Sequence, residues 1–187
     1  MSAINRYYSN ERYDSREKFL AKGIKCVFIS YQKDDSTQAR KVADYLKDAD
    51  IEVYFDEYDK ELRIHRQSNK PQEVTKSILT GINNSSDMLV IVSLTTMKSN
   101  WVPFEIGFGY DKTTLSVLCL AGIPKGGLPE YLRTVPIIRD IYDLNNRIGT
   151  MKNKETKLLV ETRILSDFNY SYNPLKNVMD SLIVDKY

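Results

Sequence analysis

The order of apolar and amphipathic segments predicts an α/β fold, a flavodoxin-like three-layer sandwich with a five-stranded parallel sheet in the order 2-1-3-4-5. Three observations predict it. Five short apolar runs recur between residues 25 and 142. They are apolar throughout instead of alternating, as strands buried on both faces are. Segments of helical periodicity stand between them, and strand–helix alternation gives parallel strands covered by helices on both sides.

The first run is "KCVFISY", residues 25–31. In "DDSTQARKVADYLKDAD", Asp35 followed by Gln38 fits a capping box. Ala39, Val42, Ala43 and Leu46 then form one helical stripe. "IEVYFD", 51–56, is the second strand. Residues 57–70, "EYDKELRIHRQSNK", are nearly all polar. They are expected to form a long, flexible loop, and loops of that length are often functional. Asn69 suits a helix cap and Pro71 a first helical turn, ahead of Val74, Ile78 and Ile82 spaced by four. "MLVIVSL", 88–94, is the third strand, "TTMKSN" a polar connection, and 101–112 a helix despite Gly107 and Gly109. "LSVLCLAGI" is the fourth strand, "PKGGLPEYLRT" a loop and "VPIIRDIY" a short fifth strand. The expected organisation is an N-terminal extension (1–24), a domain (25–150) and a C-terminal helical segment packed on it (151–187). "DSREKFLAKG" fits a short helix in the extension, and the C-terminal helices break near Asn173-Pro174.

Composition excludes several classes of function. The 187 residues are 42% apolar and 28% charged, ordinary for a globule. A net charge of +2 without clustered Lys and Arg gives no nucleic-acid surface. No apolar run approaches the ~20 residues of a membrane span. The charged N-terminus lacks an apolar secretory core, so a cytoplasmic protein is expected. Cys26 and Cys119 each lie within an apolar run and read as buried thiols in a reducing compartment. The single histidine, His65, reads as a solvated loop residue; there is no His/Cys cluster for zinc and no metal is expected. "AGIPKGG" lacks the spacing of a phosphate loop, and Gly107-x-Gly109 lacks the third glycine of a dinucleotide fingerprint.

In a 2-1-3-4-5 sheet, ligands bind beyond the carboxyl ends of the strands, where the order reverses between strands 1 and 3. The residues leaving those strands are Ser30, Tyr31, Gln32 and Lys33, then Ser93 to Asn100. Glu105 follows in "NWVPFEIGFGY", an acid in an otherwise aromatic, aliphatic and glycine stretch. Two readings stand for it: a catalytic carboxylate at the crevice, or a first-turn acid that complements the helix dipole. Trp101 is either a core anchor or a ligand contact. Lys33, Asp34 and Asp35 fit a solvated loop and helix cap.

"FISYQKDDSTQARKVADYLKDADIEVYFDEYD" resembles the opening of a Toll/interleukin-1 receptor (TIR) domain, and "SDMLVIVSL" its third strand. Residues 57–70 correspond to its BB loop. "SNWVPFEIGFG" resembles the W-x-x-x-E segment of TIR domains that cleave NAD⁺. The resemblance covers residues 24 to 145. It implies that Glu105 is catalytic, and that Trp101 and Asp56 join Ser30, Tyr31 and Lys33 around the substrate. The segment after "FISY" is often basic in those enzymes; here "QKDD" keeps only Lys33. The bacterial branch it resembles, the TIR component of Thoeris-type antiphage systems, implies an NAD⁺ hydrolase or ADP-ribosyl cyclase. NAD⁺ would be the substrate, with no further cofactor. The implied partners are other copies, through TIR–TIR contacts, and a separate effector reached by a diffusible nucleotide. A non-enzymatic TIR–TIR adaptor and a virulence effector are the alternatives.

Overall fold

The computed structural model describes residues 23–152 and 173–179. Its sheet has five parallel strands in the order β2-β1-β3-β4-β5. They are β1 (Cys26–Ser30), β2 (Glu52–Tyr54), β3 (Asp87–Val92), β4 (Thr114–Cys119) and β5 (Ile137–Ile138). Every residue of β1 and β3 is buried. That accounts for their unbroken apolar runs. In register, Ser30 lies beside Val90 and Val92 beside Cys119.

Alternate side chains feed two cores. Val27, Ile29, Leu89, Ile91 and Leu118 pack with α1 (Ser36–Asp48) and α5 (Ile141–Met151). Cys26, Phe28, Met88, Val90 and Val117 pack on the opposite face. That face is covered by α2 (Lys60–Gln67), α3 (Pro71–Asn83) and α4 (Trp101–Gly109). Leu175, Val178 and Met179, in a turn segment and not the expected helix, complete the first core, and the Ala121 amide donates to the Val178 carbonyl at 3.1 Å. The helix expected over 14–23, save Gly23, and residues 153–172 and 180–187 of the expected C-terminal helical segment lie outside the described residues.

The expected loop at 57–70 is mostly helix α2. Asp59 caps it, one oxygen accepting from the Leu62 amide at 2.7 Å and the other from the Tyr54 hydroxyl at 2.9 Å. Leu62 is fully buried and is the anchor that the polar composition concealed. Asn69, expected to cap the next helix, instead ends this one in a left-handed conformation, φ 50°. The Lys70 amide bonds the His65 carbonyl (2.9 Å) and the Asn69 amide bonds Arg66 (3.3 Å), a Schellman closure. Pro71 opens α3 as expected. His65 is therefore a half-buried helical residue with its Nδ1 enclosed, not a solvated loop side chain.

Two further elements are shorter than the sequence implied. The fifth strand has two residues, because Asp140 accepts from the Asp143 amide at 2.8 Å and starts α5. Helix α4 stops at Gly109. A Cβ at Gly109 would lie 2.5 Å from Met88 Cε, so this glycine is what lets α4 approach β3; Gly107 meets nothing.

Candidate functional site

Helix α4 reverses the usual hydrophobic pattern. Phe104 is 39% exposed while Glu105, its neighbour, is 5% exposed. Glu105 is the fifth residue of the helix, past the first turn, so the dipole reading of this acid falls away. Its side chain turns to the end of β1, where the Ser30 hydroxyl donates to Oε2 at 2.6 Å. Burial pushes the Glu105 carboxyl up to about 8. The Ser30 hydrogen bond opposes that shift; the charge on Asp56 adds to it and Arg66 subtracts.

Asp56 follows β2 at the same end of the sheet and is 8% exposed. The Tyr31 hydroxyl donates to its Oδ1 at 2.6 Å and Arg66 Nη2 to its Oδ2 at 3.0 Å. Burial raises its proton affinity above the ordinary carboxylate range; Arg66 and Tyr31 work against that. Tyr31 is tilted against Phe55 at 5.1 Å. Burial and the neighbouring Asp56 drive its phenol upward, so it remains a hydrogen-bond donor.

Of the residues singled out in the sequence, Ser30 meets Glu105 and Tyr31 meets Asp56, and the two acids sense each other's charge. Lys33 and Trp101 join neither pair. Lys33 is exposed at the start of a 3-10 turn, Lys33–Asp35. Trp101 packs against the α4-side core, edge-on to Phe104 with centroids 6.0 Å apart.

Two participants were missed. Arg66, assigned to a flexible loop, is brought to Asp56 by α2. Asp35, expected to cap α1, makes no capping bond; its carboxylate accepts from the Ser93 hydroxyl at 2.6 Å. Among the described residues, no group of three His, Cys, Asp or Glu side chains could hold a metal ion. No helix among them is long and apolar enough to cross a membrane.

A model of the TIR domain family matches residues 27–147. Comparison with curated proteins returned no match. Among solved structures, the TIR domain of the Toll-related receptor TRR-2 from Hydra magnipapillata is similar, with TM-score 0.51 and 19% identity over 68% of this chain and 92% of that one. A metazoan TIR-STING receptor from C. gigas gives TM-score 0.52 and 21% identity over 78% of this chain and 45% of the receptor. The same receptor in complex with 2',3'-cGAMP gives 0.52 and 24%, over 68% and 39%. The chain thus spans less than half of the TIR-STING receptor, and at these identities the likeness concerns the fold. With a family match over more than half of its length and a 2-1-3-4-5 sheet beneath it, the chain belongs to the TIR domain family.

Proposed function

We propose that this protein is an NAD⁺ glycohydrolase or ADP-ribosyl cyclase that breaks the bond between nicotinamide and ribose. The observation that carries the reading is Glu105: an acid turned inward on α4, hydrogen-bonded to Ser30 and desolvated beside the ends of β1 and β3. Its setting within "SNWVPFEIGFG", which resembles the W-x-x-x-E segment of NAD⁺-cleaving TIR domains, supports the same conclusion.

The chemistry suits a site with one acid. When the C1′–N bond breaks, the electron pair goes to the pyridinium nitrogen, so nicotinamide leaves neutral and needs no general acid. The ribose becomes an oxocarbenium-like cation. A carboxylate held in a low-dielectric wall offsets that charge far better than one in water. The cationic substrate itself favours the ionised form of Glu105. Water captures the cation to give ADP-ribose and a proton; capture by an internal nucleophile gives a cyclic isomer. In this reading Tyr31, Asp56 and Arg66 form the fixed polar wall, and Lys33 and Trp101 lie on the substrate's approach.

The physiological role that follows is a cytoplasmic one: copies associate through TIR–TIR contacts and release a nucleotide signal that reaches a separate effector in antiphage defence. Incubation with NAD⁺ over a range of protein concentrations, with nicotinamide and ribosyl products separated, tests the enzymatic core. Nicotinamide release that disappears in Glu105→Gln is expected. No release at any concentration, with TIR–TIR association intact, would favour an adaptor.

A further inference from the structure

Ser93 and Asp35 occupy the two connections that leave the crevice, one after β3 and one after β1. They are 58 residues apart in sequence, and the Ser93 hydroxyl donates to Asp35 Oδ2 at 2.6 Å. Asp35 stands at the N-cap position of α1, where a carboxylate ordinarily accepts from the first-turn amides. It makes no such bond, although it is 7% exposed. Its Oδ2 turns instead to Ser93 across the crevice.

Ser93 is also the hub of its own turn. Its oxygen accepts from the Thr95 amide at 3.1 Å and lies 2.9 Å from the Thr95 hydroxyl. The Ser93 amide donates to Thr96 Oγ1 at 2.7 Å. This turn leads through Thr96–Lys98 into α4, which carries Trp101 and Glu105. On the other side, the Asp35 amide closes the Lys33–Asp35 turn onto the Gln32 carbonyl at 2.8 Å. One hydrogen bond therefore joins the turn that precedes the acid to the turn that carries Lys33.

We propose that the Asp35–Ser93 hydrogen bond is a clasp that holds the two walls of the crevice in register, which makes Asp35 and Ser93 positioning residues for the substrate. The substrate part of this statement rests on the NAD⁺ reading; the clasp itself does not. Without the bond, the 93–100 connection loses its tie to β1, and substrate bound between the two turns loses alignment with Glu105. Misalignment of that kind costs rate steeply, so kcat/KM should fall about tenfold or more.

The test has two arms. In the first, amide hydrogen exchange of residues 93–100 is compared in wild type, Asp35→Ala and Asp35→Asn, which leave the bonds of Ser93 within its own turn in place. Faster exchange there in Asp35→Ala, with the strands unchanged and Asp35→Asn restored, supports the clasp. Unchanged exchange in Asp35→Ala overturns it. In the second, NAD⁺ turnover is measured for Ser93→Ala, Asp35→Ala, their double variant and Asp35→Asn, which keeps an acceptor oxygen. Positioning predicts a raised KM as well as a lowered kcat. It also predicts a double variant no worse than either single one, and recovery in Asp35→Asn. A lowered melting temperature with KM and kcat unchanged would reduce the bond to a structural contact and overturn the positioning role. If wild type itself does not cleave NAD⁺, the enzymatic reading fails, and with it the substrate role, while the exchange arm still decides the clasp.

Discussion

Replacing Glu105 with Gln should make the protein more stable while it abolishes turnover. The carboxyl's ordinary value is 4.5, and burial lifts it to about 8 in the fold. Between those values the native state keeps a proton that the unfolded chain has released. The unfolded state then binds fewer protons, and stability must fall as pH rises. The contribution of this group is fully present below 4.5, declines across the interval and levels off above 8. At pH 7 the unfolded chain has gained 2.5 pH units of ionisation that the fold largely denies, which at 1.36 kcal/mol per unit is roughly 3 kcal/mol. A glutamine has no proton to hold, and its Oε1 can accept the Ser30 hydroxyl in place of Oε2.

The assay is urea unfolding of wild type and Glu105→Gln at pH 5, 6, 7 and 8. The variant's advantage should be small at pH 5 and grow by about 1 kcal/mol per unit. In melting temperature the difference at pH 7 should reach several degrees, at about 2–4 °C per kcal/mol for a chain of this size. NAD⁺ turnover should drop about 100-fold or more, the loss of one electrostatic stabiliser. Equal stability of the two proteins at every pH would refute the desolvated acid. Full turnover in the variant would refute its role.

Other consequences follow from the same geometry. Wild-type kcat/KM should rise roughly tenfold per pH unit below 8 and flatten above it, because the free enzyme must ionise Glu105 to bind productively; a flat profile from pH 6 to 9 would contradict this. Arg66→Ala removes the guanidinium that lowers Glu105, so that rise should move to higher pH. Urea unfolding should show only about 1 kcal/mol lost in the same variant, since Arg66 is 38% exposed and solvent screens its pair with Asp56. Gly81→Ala would put a Cβ 2.5 Å from a Tyr54 ring held by Phe28 (5.4 Å, stacked) and by Asp59, and should cost about 1–3 kcal/mol in urea unfolding. Excess chelator should leave nicotinamide release unchanged.

The sheet was legible because burial on both faces leaves a signal in every residue of a strand. "CVFIS" and "DMLVIV" need no partner sequence to be recognised as interior. The order of strands then located the crevice, and with it Ser30, Tyr31 and Glu105. Helix α2 was not legible, because its burial rests on Leu62 and its cap on Asp59, and a window of fourteen polar-rich residues averages both away. Asn69 shows a subtler ambiguity. Asparagine suits both the start of a helix and the left-handed residue after one, and only the Lys70 and Asn69 amide bonds decide between them. The pairing of Asp35 with Ser93 leaves no local trace at all. Asp35 and Gln38 had the spacing of a capping box, and the competing partner lay 58 residues away.

The two buried acids at this end of the sheet have different surroundings, and the difference indicates which is available for chemistry. Asp56 has a phenol on one oxygen and a guanidinium on the other, so its hydrogen bonds are directed inward and its charge is compensated in place. Glu105 has a neutral hydroxyl on one oxygen and, among the described residues, no cation bonded to it; Arg66 acts on it through space and is bonded to Asp56. A buried carboxylate with an uncompensated charge keeps its proton until a cation arrives. The positive ring of a nicotinamide ribosyl group is such a cation, and the charge passes to the ribose as the bond breaks. Asp56 sharpens this response, since its nearby negative charge raises Glu105 further. In the proposed NAD⁺ reading, the pair separates into one acid that maintains the wall and one whose ionisation is linked to the substrate, which is the division expected where neighbouring carboxyls take different roles.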